Sequence, residues 1–572
     1  MINLLNSKSV ILQIYAAIII VSITSGCSVI TSRNITSTAT KYMISAANPL
    51  AAKAGAEILN IGGSAVDAAI AAQLVLTLVE PQSSGIGGGA FLMHYDAKTG
   101  KVESYDGREV APRSAHPKMF LRDGKPLNFL DAATSGISVG VPGLLRMLEL
   151  AHRDHGELPW NNLFNPAIKL AEEGFSISHR LAYLLSREKI LRKTPSAKRY
   201  FYSSEGKNKP VGSLIKNAAL AKTFRSVAAG GADAFYRGPI ARGIVAAVVG
   251  SDPPGHMTLA DIAAYRAVKR SPICTDYRKW QICGMGPPSS GGIAIAQIFG
   301  ILENFEIEKI EPTSLMAIHL VGEASALAFA DRNAYLADSD FIPVPVYSMI
   351  DKGYLKSRAD LISLKKAGPK RAPGELPTLN YSADNTSKGL STTHISVIDS
   401  EGNSVSMTSS IETTFGSRLM TGGFLLNNQL TDFSFQPVRA NKPIANSVAP
   451  WKRPRSSMAP TLVLDHKGRL VMAIGSPGGS RIIGYVVKTL VAALDWKKDI
   501  QAAIDMPFFV NRNSVMELEK GTSLKLLEPG LKKLGHKVKF ISRASGLHGI
   551  RIVTDGLRGG ADKRREGVAL GN

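Results

Sequence analysis

The sequence predicts a layered α/β fold. Strand-like runs alternate with helical runs along most of the 572 residues, and several of those helices are too apolar to face water on any side. With 44% hydrophobic and 20% charged residues, the chain can bury a large core, which excludes a disordered or fibrous protein. The length suits about two to four domains, or one large layered unit.

At the amino end, Lys8 precedes an apolar run from Val10 to Ile23. The run is short for a membrane span and ends in small residues, so it reads as an export signal covering 1–27. Thr24-Ser25-Gly26-Cys27 resembles a bacterial lipoprotein cleavage box. In that reading Cys27 is lipidated and attaches the protein to a membrane; ordinary signal cleavage is the alternative. Either way the expected location is the bacterial periplasm or envelope.

Asn48-Pro49 opens a helix to Leu59 that Gly62-Gly63 stops, and Ser64 with Asp67 caps a second helix to Val79. Strands are expected at Ala90 to Tyr95 and Lys101 to Tyr105, the second delivering Arg108 at its end. Residues 160–365 read mainly as helices with short strands. Lys366 to Leu390 then carries three prolines and three glycines with no apolar period, which is a loop. A hairpin follows at once, Thr393 to Ile398 returning as Ser404 to Ile411. Later strands fall at Gly423 to Leu426, Thr461 to Leu464 and Leu470 to Ile474, with helices at Gly484 to Leu494 and Ile500 to Ile504.

The net charge is +22, but the basic residues are scattered and no basic stripe interleaves with aromatics, so no nucleic-acid face is expected. Beyond Cys27 only Cys274 and Cys283 remain. A two-residue turn at Arg278-Lys279 would set Tyr277 against Trp280 and Cys274 against Cys283, in a non-hydrogen-bonded pair. A cross-strand disulfide and two buried thiols are both compatible with that register. No H-E-x-x-H, paired-cysteine or Asp-rich loop is present, so neither a metal nor any other cofactor is expected.

Thr392-Thr393-His394 stands where the loop becomes a strand. A threonine hydroxyl is a weak nucleophile, but at a chain start its own α-amine, of pKa near 8, serves as the adjacent base. Cutting after Ser391, by attack of the Thr392 oxygen on the preceding carbonyl, would create that arrangement. A Thr-Thr pair also suits plain β-branched packing, and the residues alone leave both readings open. His394 reads as a packed core group. Gly475-Ser-Pro-Gly-Gly-Ser480 lies between a strand and a helix, where its amides could cradle an oxyanion or simply form a turn. Arg455-Ser456-Ser457-Met458 offers hydroxyls for a carboxylate, and Asn427 to Asp432 ends in a carboxylate for an ammonium. Each of these is also a common cap or turn.

Taken in order, Gly62 to Ala69, Glu80-Pro81-Gln82, Pro287 to Gly292, Thr392-Thr393-His394, Leu426 to Gln429, Arg453 to Met458 and Gly475 to Arg481 closely resemble the gamma-glutamyltranspeptidase family, over a span from Ala46 to near the carboxyl end. The resemblance implies a four-layer αββα amino-terminal-nucleophile hydrolase. It implies one precursor split into a heavy chain, 28–391, and a light catalytic chain, 392–572, that stay together as a heterodimer. Thr392 would attack the γ-glutamyl amide of glutathione, and water or an amino acid or peptide would resolve the acyl-enzyme. By the same resemblance Arg108, Ser456 and Ser457 hold the substrate carboxylate, Asp432 and Gln429 hold its ammonium, and the amides of Gly478 and Gly479 form the oxyanion hole.

Three departures stand out. Ser410 replaces a supporting threonine and keeps its hydroxyl. Glu412 replaces a common asparagine near the ammonium. The segment Phe435 to Trp451 is short where other members carry a lid, which implies a more open pocket. Two further readings stay in view, a cephalosporin or glutaryl acylase on the same scaffold and a non-catalytic binding lipoprotein.

Overall fold

The computed structural model describes residues 36–376, 381–384, 391–542 and 545–572. The expected signal segment and Cys27 lie outside the described residues.

Two seven-stranded sheets form the centre, and every neighbouring pair of strands in them is antiparallel. The first runs in the order Val568–Gly571, Met43–Ala46, Ser391–Ile398, Ser404–Glu412, Gly89–Asp96, Lys101–Gly107 and Val268–Arg270. The second runs Ser37–Ala39, Gly556–Ala561, His548–Val553, Leu470–Gly475, Thr461–Asp465, Trp280–Gly284 and Ile273–Tyr277. Helices Pro49–Asn60, Ala65–Val79 and Leu144–His155 cover the first sheet, while Gly291–Leu302 and Ile482–Leu494 cover the second, with Leu315–Tyr335 packed on Gly291–Leu302. The result is the expected αββα layering.

Local chemistry explains the helix positions. Asn48 caps the first helix by accepting from Leu50 N, with Pro49 in its first turn. Ser64 and Asp67 form a reciprocal capping box on the second, whose fifteen residues are all buried. Such a helix draws its stability from packing on both sides, which requires the sheet beneath it.

Period-two alternation then sorts the central hairpin. Ile395 and Val397, with Val405, Met407 and Ile411, pack toward the helices. Their neighbours His394, Ser396, Ser406 and Thr408 therefore face the second sheet and form a buried polar seam. His394 Nδ1 lies 2.8 Å from Thr408 Oγ1 and Nε2 lies 3.1 Å from Ser396 Oγ, while Ser406 Oγ donates to Ile474 O at 3.0 Å. Gly475 closes against this layer so tightly that a Cβ there would sit 2.2 Å from His394 Cε1. The packed, hydrogen-bonded role expected for His394 is what the structure contains.

The hairpin expected at Thr393 starts earlier, at Ser391, which pairs with Glu412. Thr393 pairs with Ser409, so Ser410 and Ile411 together oppose Thr392 in a bulge. The bond after Ser391 thus lies inside a sheet ladder rather than in the loop before it. The cysteine hairpin has the expected register, Tyr277 opposite Trp280 and Cys274 opposite Cys283. The two sulfurs are bonded, with Cα atoms 4.0 Å apart.

Candidate active site

Thr392 is buried and, by the same alternation, faces the seam between the sheets. Its Oγ1 donates to the Ser391 carbonyl at 2.6 Å. Ser410, brought alongside by the bulge, donates to that carbonyl at 2.7 Å and lies 3.3 Å from Thr392 Oγ1. Glu412 N–H in turn donates to Ser410 Oγ at 2.9 Å, which orients it. Two hydroxyls therefore converge on one peptide carbonyl, and one of them belongs to the residue after it.

A cavity of about 30 Å³ opens beside these groups. Ser391, Thr392, Ser410, Glu412, Gln429 and Asp432 line it. Ser456, Ser457, Met458, Gly479, Ser480, Ile482 and Arg332 complete the lining. In the uncut chain this volume has room for about one water. Gly479 lines the cavity, and Gly478 and Gly479 both have positive φ, 136° and 60°, so the turn they form is one only glycine adopts without strain.

The two charges expected to hold an amino-acid head are paired with each other. Arg108 Nη2 donates to Asp432 Oδ2 at 2.6 Å, and Gln429 Nε2 donates to the same oxygen at 3.2 Å. Arg108 is almost fully buried, does not line the cavity, and also donates to the carbonyls of Pro454 at 3.0 Å and Arg455 at 3.3 Å. Beside it, Glu109 is buried, and neither of its oxygens has a hydrogen-bond partner. Burial, reinforced by Asp432 and Asp106 against the opposing Arg108, pushes its carboxyl up to about 8.

Glu412 is cavity-lining and accepts from Asn428 Nδ2 at 3.0 Å. Its φ of 81° is the left-handed region, unfavourable for a residue with a long side chain. Ser457 Oγ accepts from Arg332 Nη2 at 2.6 Å, and Ser456 Oγ accepts from Met458 N at 3.1 Å.

Sequence reasoning passed over three residues. Arg332, on the buried helix Leu315–Tyr335, holds Ser457 and Ser290; burial, then the neighbouring Arg455, works against its charged form. The signal available was a charged residue within a long helix rich in alanine and leucine, in a stretch read only as mainly helical. Asp384 lies in the loop read as structureless, yet it bonds Arg455 Nη2 at 2.8 Å, a salt bridge buried at both ends. Arg565 donates from Nη1 to the Thr392 carbonyl at 3.0 Å, and no local pattern in its basic cluster marks it.

The fold and this site define an amino-terminal-nucleophile hydrolase: a four-layer αββα body with a buried strand-borne hydroxyl aimed at the peptide bond before it. A profile described as gamma-glutamyltranspeptidase matches residues 51–572. The chain is 38% identical to the glutathione hydrolase proenzyme of Escherichia coli over 539 residues, 91% of this chain and 90% of that protein. Among solved structures it is similar to a cephalosporin acylase from Bacillus halodurans, with a TM-score of 0.82 and 25% identity, covering 96% of this chain and 98% of that one. It is also similar to the Helicobacter pylori gamma-glutamyltranspeptidase, with a TM-score of 0.54 and 36% identity over 56% of this chain and 92% of that one. The chain belongs to the gamma-glutamyltranspeptidase family.

Proposed function

We propose that this protein is made as a proenzyme that cuts itself between Ser391 and Thr392 and then hydrolyses or transfers the γ-glutamyl group of glutathione and related amides. The convergence of the Thr392 and Ser410 hydroxyls on the Ser391 carbonyl carries the reading.

In the precursor, Thr392 Oγ1 attacks the Ser391 carbonyl carbon, and Ser410 stabilises the oxyanion that forms. The Thr392 nitrogen leaves with a proton, and an ester joins Ser391 to Thr392. Water hydrolyses the ester, giving a Ser391 carboxylate and a free Thr392 amine. Heavy chain 28–391 and light chain 392–572 stay joined because Ser391–Ile398 lies between Met43–Ala46 and Ser404–Glu412 in one sheet.

In the mature enzyme, the amine accepts the proton of its own hydroxyl as that oxygen attacks the γ-glutamyl carbonyl. Gly478 and Gly479 amides hold the oxyanion. Asp432, Glu412 and Gln429 take the α-ammonium; Arg108, Ser456 and Ser457 take the α-carboxylate. Water or an amino acid or peptide amine then releases the acyl group. The export segment with Cys27 would place this reaction in the envelope, with or without a lipid anchor. Among the described residues no helix is long and apolar enough to cross a membrane.

A denaturing gel with intact mass measurement tests the reading. Two fragments joining at 391/392 are expected in wild type and one intact chain in Thr392→Ala. An intact wild-type chain with full γ-glutamyl anilide turnover overturns it. The likeness to a cephalosporin acylase favours a second reading, hydrolysis of a glutaryl-type amide. Two carboxylates lining the cavity, Glu412 and Asp432, favour a substrate with an ammonium. Equal turnover of glutaryl and γ-glutamyl anilides would decide for the acylase.

A further inference from the structure

The Glu80-Pro81-Gln82 run takes no part in holding the amino-acid head, yet it lies against the bond that is cut. Ser391 Oγ donates to the Gln82 carbonyl at 2.5 Å. The same carbonyl accepts from Phe415 N, and the Ser83 carbonyl accepts from Ile411 N, so this turn is stitched to the end of the strand that carries Ser410. Glu80, fully buried at the end of helix Ala65–Val79, faces two guanidiniums, Arg180 at 3.5 Å and Arg565. Arg565 reaches from the carboxyl-terminal segment, donating from Nε to Ser545 O at 2.7 Å and from Nη1 to Thr392 O at 3.0 Å. The residues on both sides of the 391/392 bond are thus gripped from outside the hairpin, Ser391 by Gln82 and Thr392 by Arg565.

We propose that Arg565 is a positioning residue for Thr392: it fixes the nucleophile by its carbonyl and keeps a positive charge beside the amine that cleavage frees. This rests on Thr392 being the nucleophile. In the precursor the grip limits rotation of Thr392 and keeps Oγ1 within reach of the Ser391 carbonyl. In the mature enzyme, a cation a few ångströms away disfavours protonation of the amine. That matters because a free amine titrates near 8 and at neutral pH would be mostly unable to accept a proton. Lysine cannot reproduce the fork that bonds Ser545 O and Thr392 O at once, although it keeps the charge.

The other charged or titratable groups facing Arg565 are Glu80, Arg180, Asp562, Tyr485 and His548, with Glu566 beyond Glu80. On the cavity side Thr392 meets Glu412, Asp432 and Arg332. The carboxylates among them favour an ammonium at Thr392, and the Arg565 charge opposes them.

The test uses the full chain, wild type and the variants Arg565→Gln and Arg565→Lys. The readouts are the half-time of self-cleavage on a gel and the acidic limb of the kcat/KM profile for γ-glutamyl anilide. Arg565→Gln is expected to slow cleavage about tenfold or more and to move the acidic limb up by about one pH unit. Arg565→Lys is expected to slow cleavage but keep the limb where wild type has it. A wild-type limb in Arg565→Gln, or wild-type cleavage in Arg565→Lys, overturns the proposal. Should Arg565→Gln fail to fold, Arg565→Lys decides alone, since either a wild-type cleavage rate or a shifted limb in it contradicts the assignment. A wild-type chain that never cuts itself instead removes the underlying reading, so the two failures are distinguishable.

Discussion

Arg108 Nη2 and Asp432 Oδ2 are 2.6 Å apart, an ion pair with almost no solvent on the arginine side. Each is the other's counter-charge before any substrate arrives, which avoids leaving a buried charge uncompensated. A γ-glutamyl head carries one charge of each sign and can be taken without changing the net charge of the site. Asp432→Asn is expected to lower kcat/KM for γ-glutamyl anilide about a hundredfold or more while changing the glutaryl anilide rate much less. Parallel kinetics on the two anilides check this, and an equal loss on both contradicts the ammonium role.

Ser410 supplies the second donor to the Ser391 carbonyl. Removing one oxyanion donor costs about 10²–10³ in rate, so Ser410→Ala is expected to slow self-cleavage by about that factor. Ser410→Thr retains the hydroxyl and should cut within about tenfold of wild type. Time courses of the intact band give both numbers.

Glu412 at φ 81° carries strain that asparagine tolerates better. In the uncut Thr392→Ala chain, Glu412→Asn is expected to stabilise by about 1 kcal/mol. Calorimetry shows this as a raised melting temperature, and a lowered one contradicts the strain argument.

Glu109 gives a pH dependence of defined sign. Its carboxyl is pushed from an ordinary value of 4.5 up to about 8 in the fold. Between those values the folded chain holds a proton that the unfolded chain has lost, so this group's contribution falls as pH rises from about 4.5 and levels off above about 8. Glu109→Gln mimics the protonated form at all pH. The variant should melt close to wild type near pH 4.5 and above it at pH 8; the reverse order contradicts the assignment.

The Cys274–Cys283 bond closes a short loop, with a sequence separation of 9. Reducing it, or making Cys274→Ser with Cys283→Ser, is expected to cost about 2–3 kcal/mol by the loop-entropy argument. The hairpin lies at the edge of the second sheet, so anilide turnover should be unchanged at a temperature where the variant is folded.

Much of this protein was legible before any coordinates. Caps at Asn48 and Ser64, the apolar character of the helices, the alternation in the hairpin after Thr392 and the Cys274 register all depend on residues close in sequence, and each expectation agrees with the structure. The ordered motifs, Thr392-Thr393-His394 above all, were enough to indicate the family. The flanking strands Met43–Ala46 and Gly556–Ala561 were not anticipated, being short or glycine-rich, and their pairing comes from the sheet around them.

What the tertiary structure alone decided is which distant groups meet. No local pattern in the chain says that the Ser410 bulge turns a hydroxyl onto the Ser391 carbonyl, that Arg108 bonds Asp432, that Arg332 holds Ser457, or that Arg565 grips Thr392 across 173 positions. Propensity and periodicity act over a turn or a strand, whereas these contacts arise where two sheets and their connecting loops close on one another.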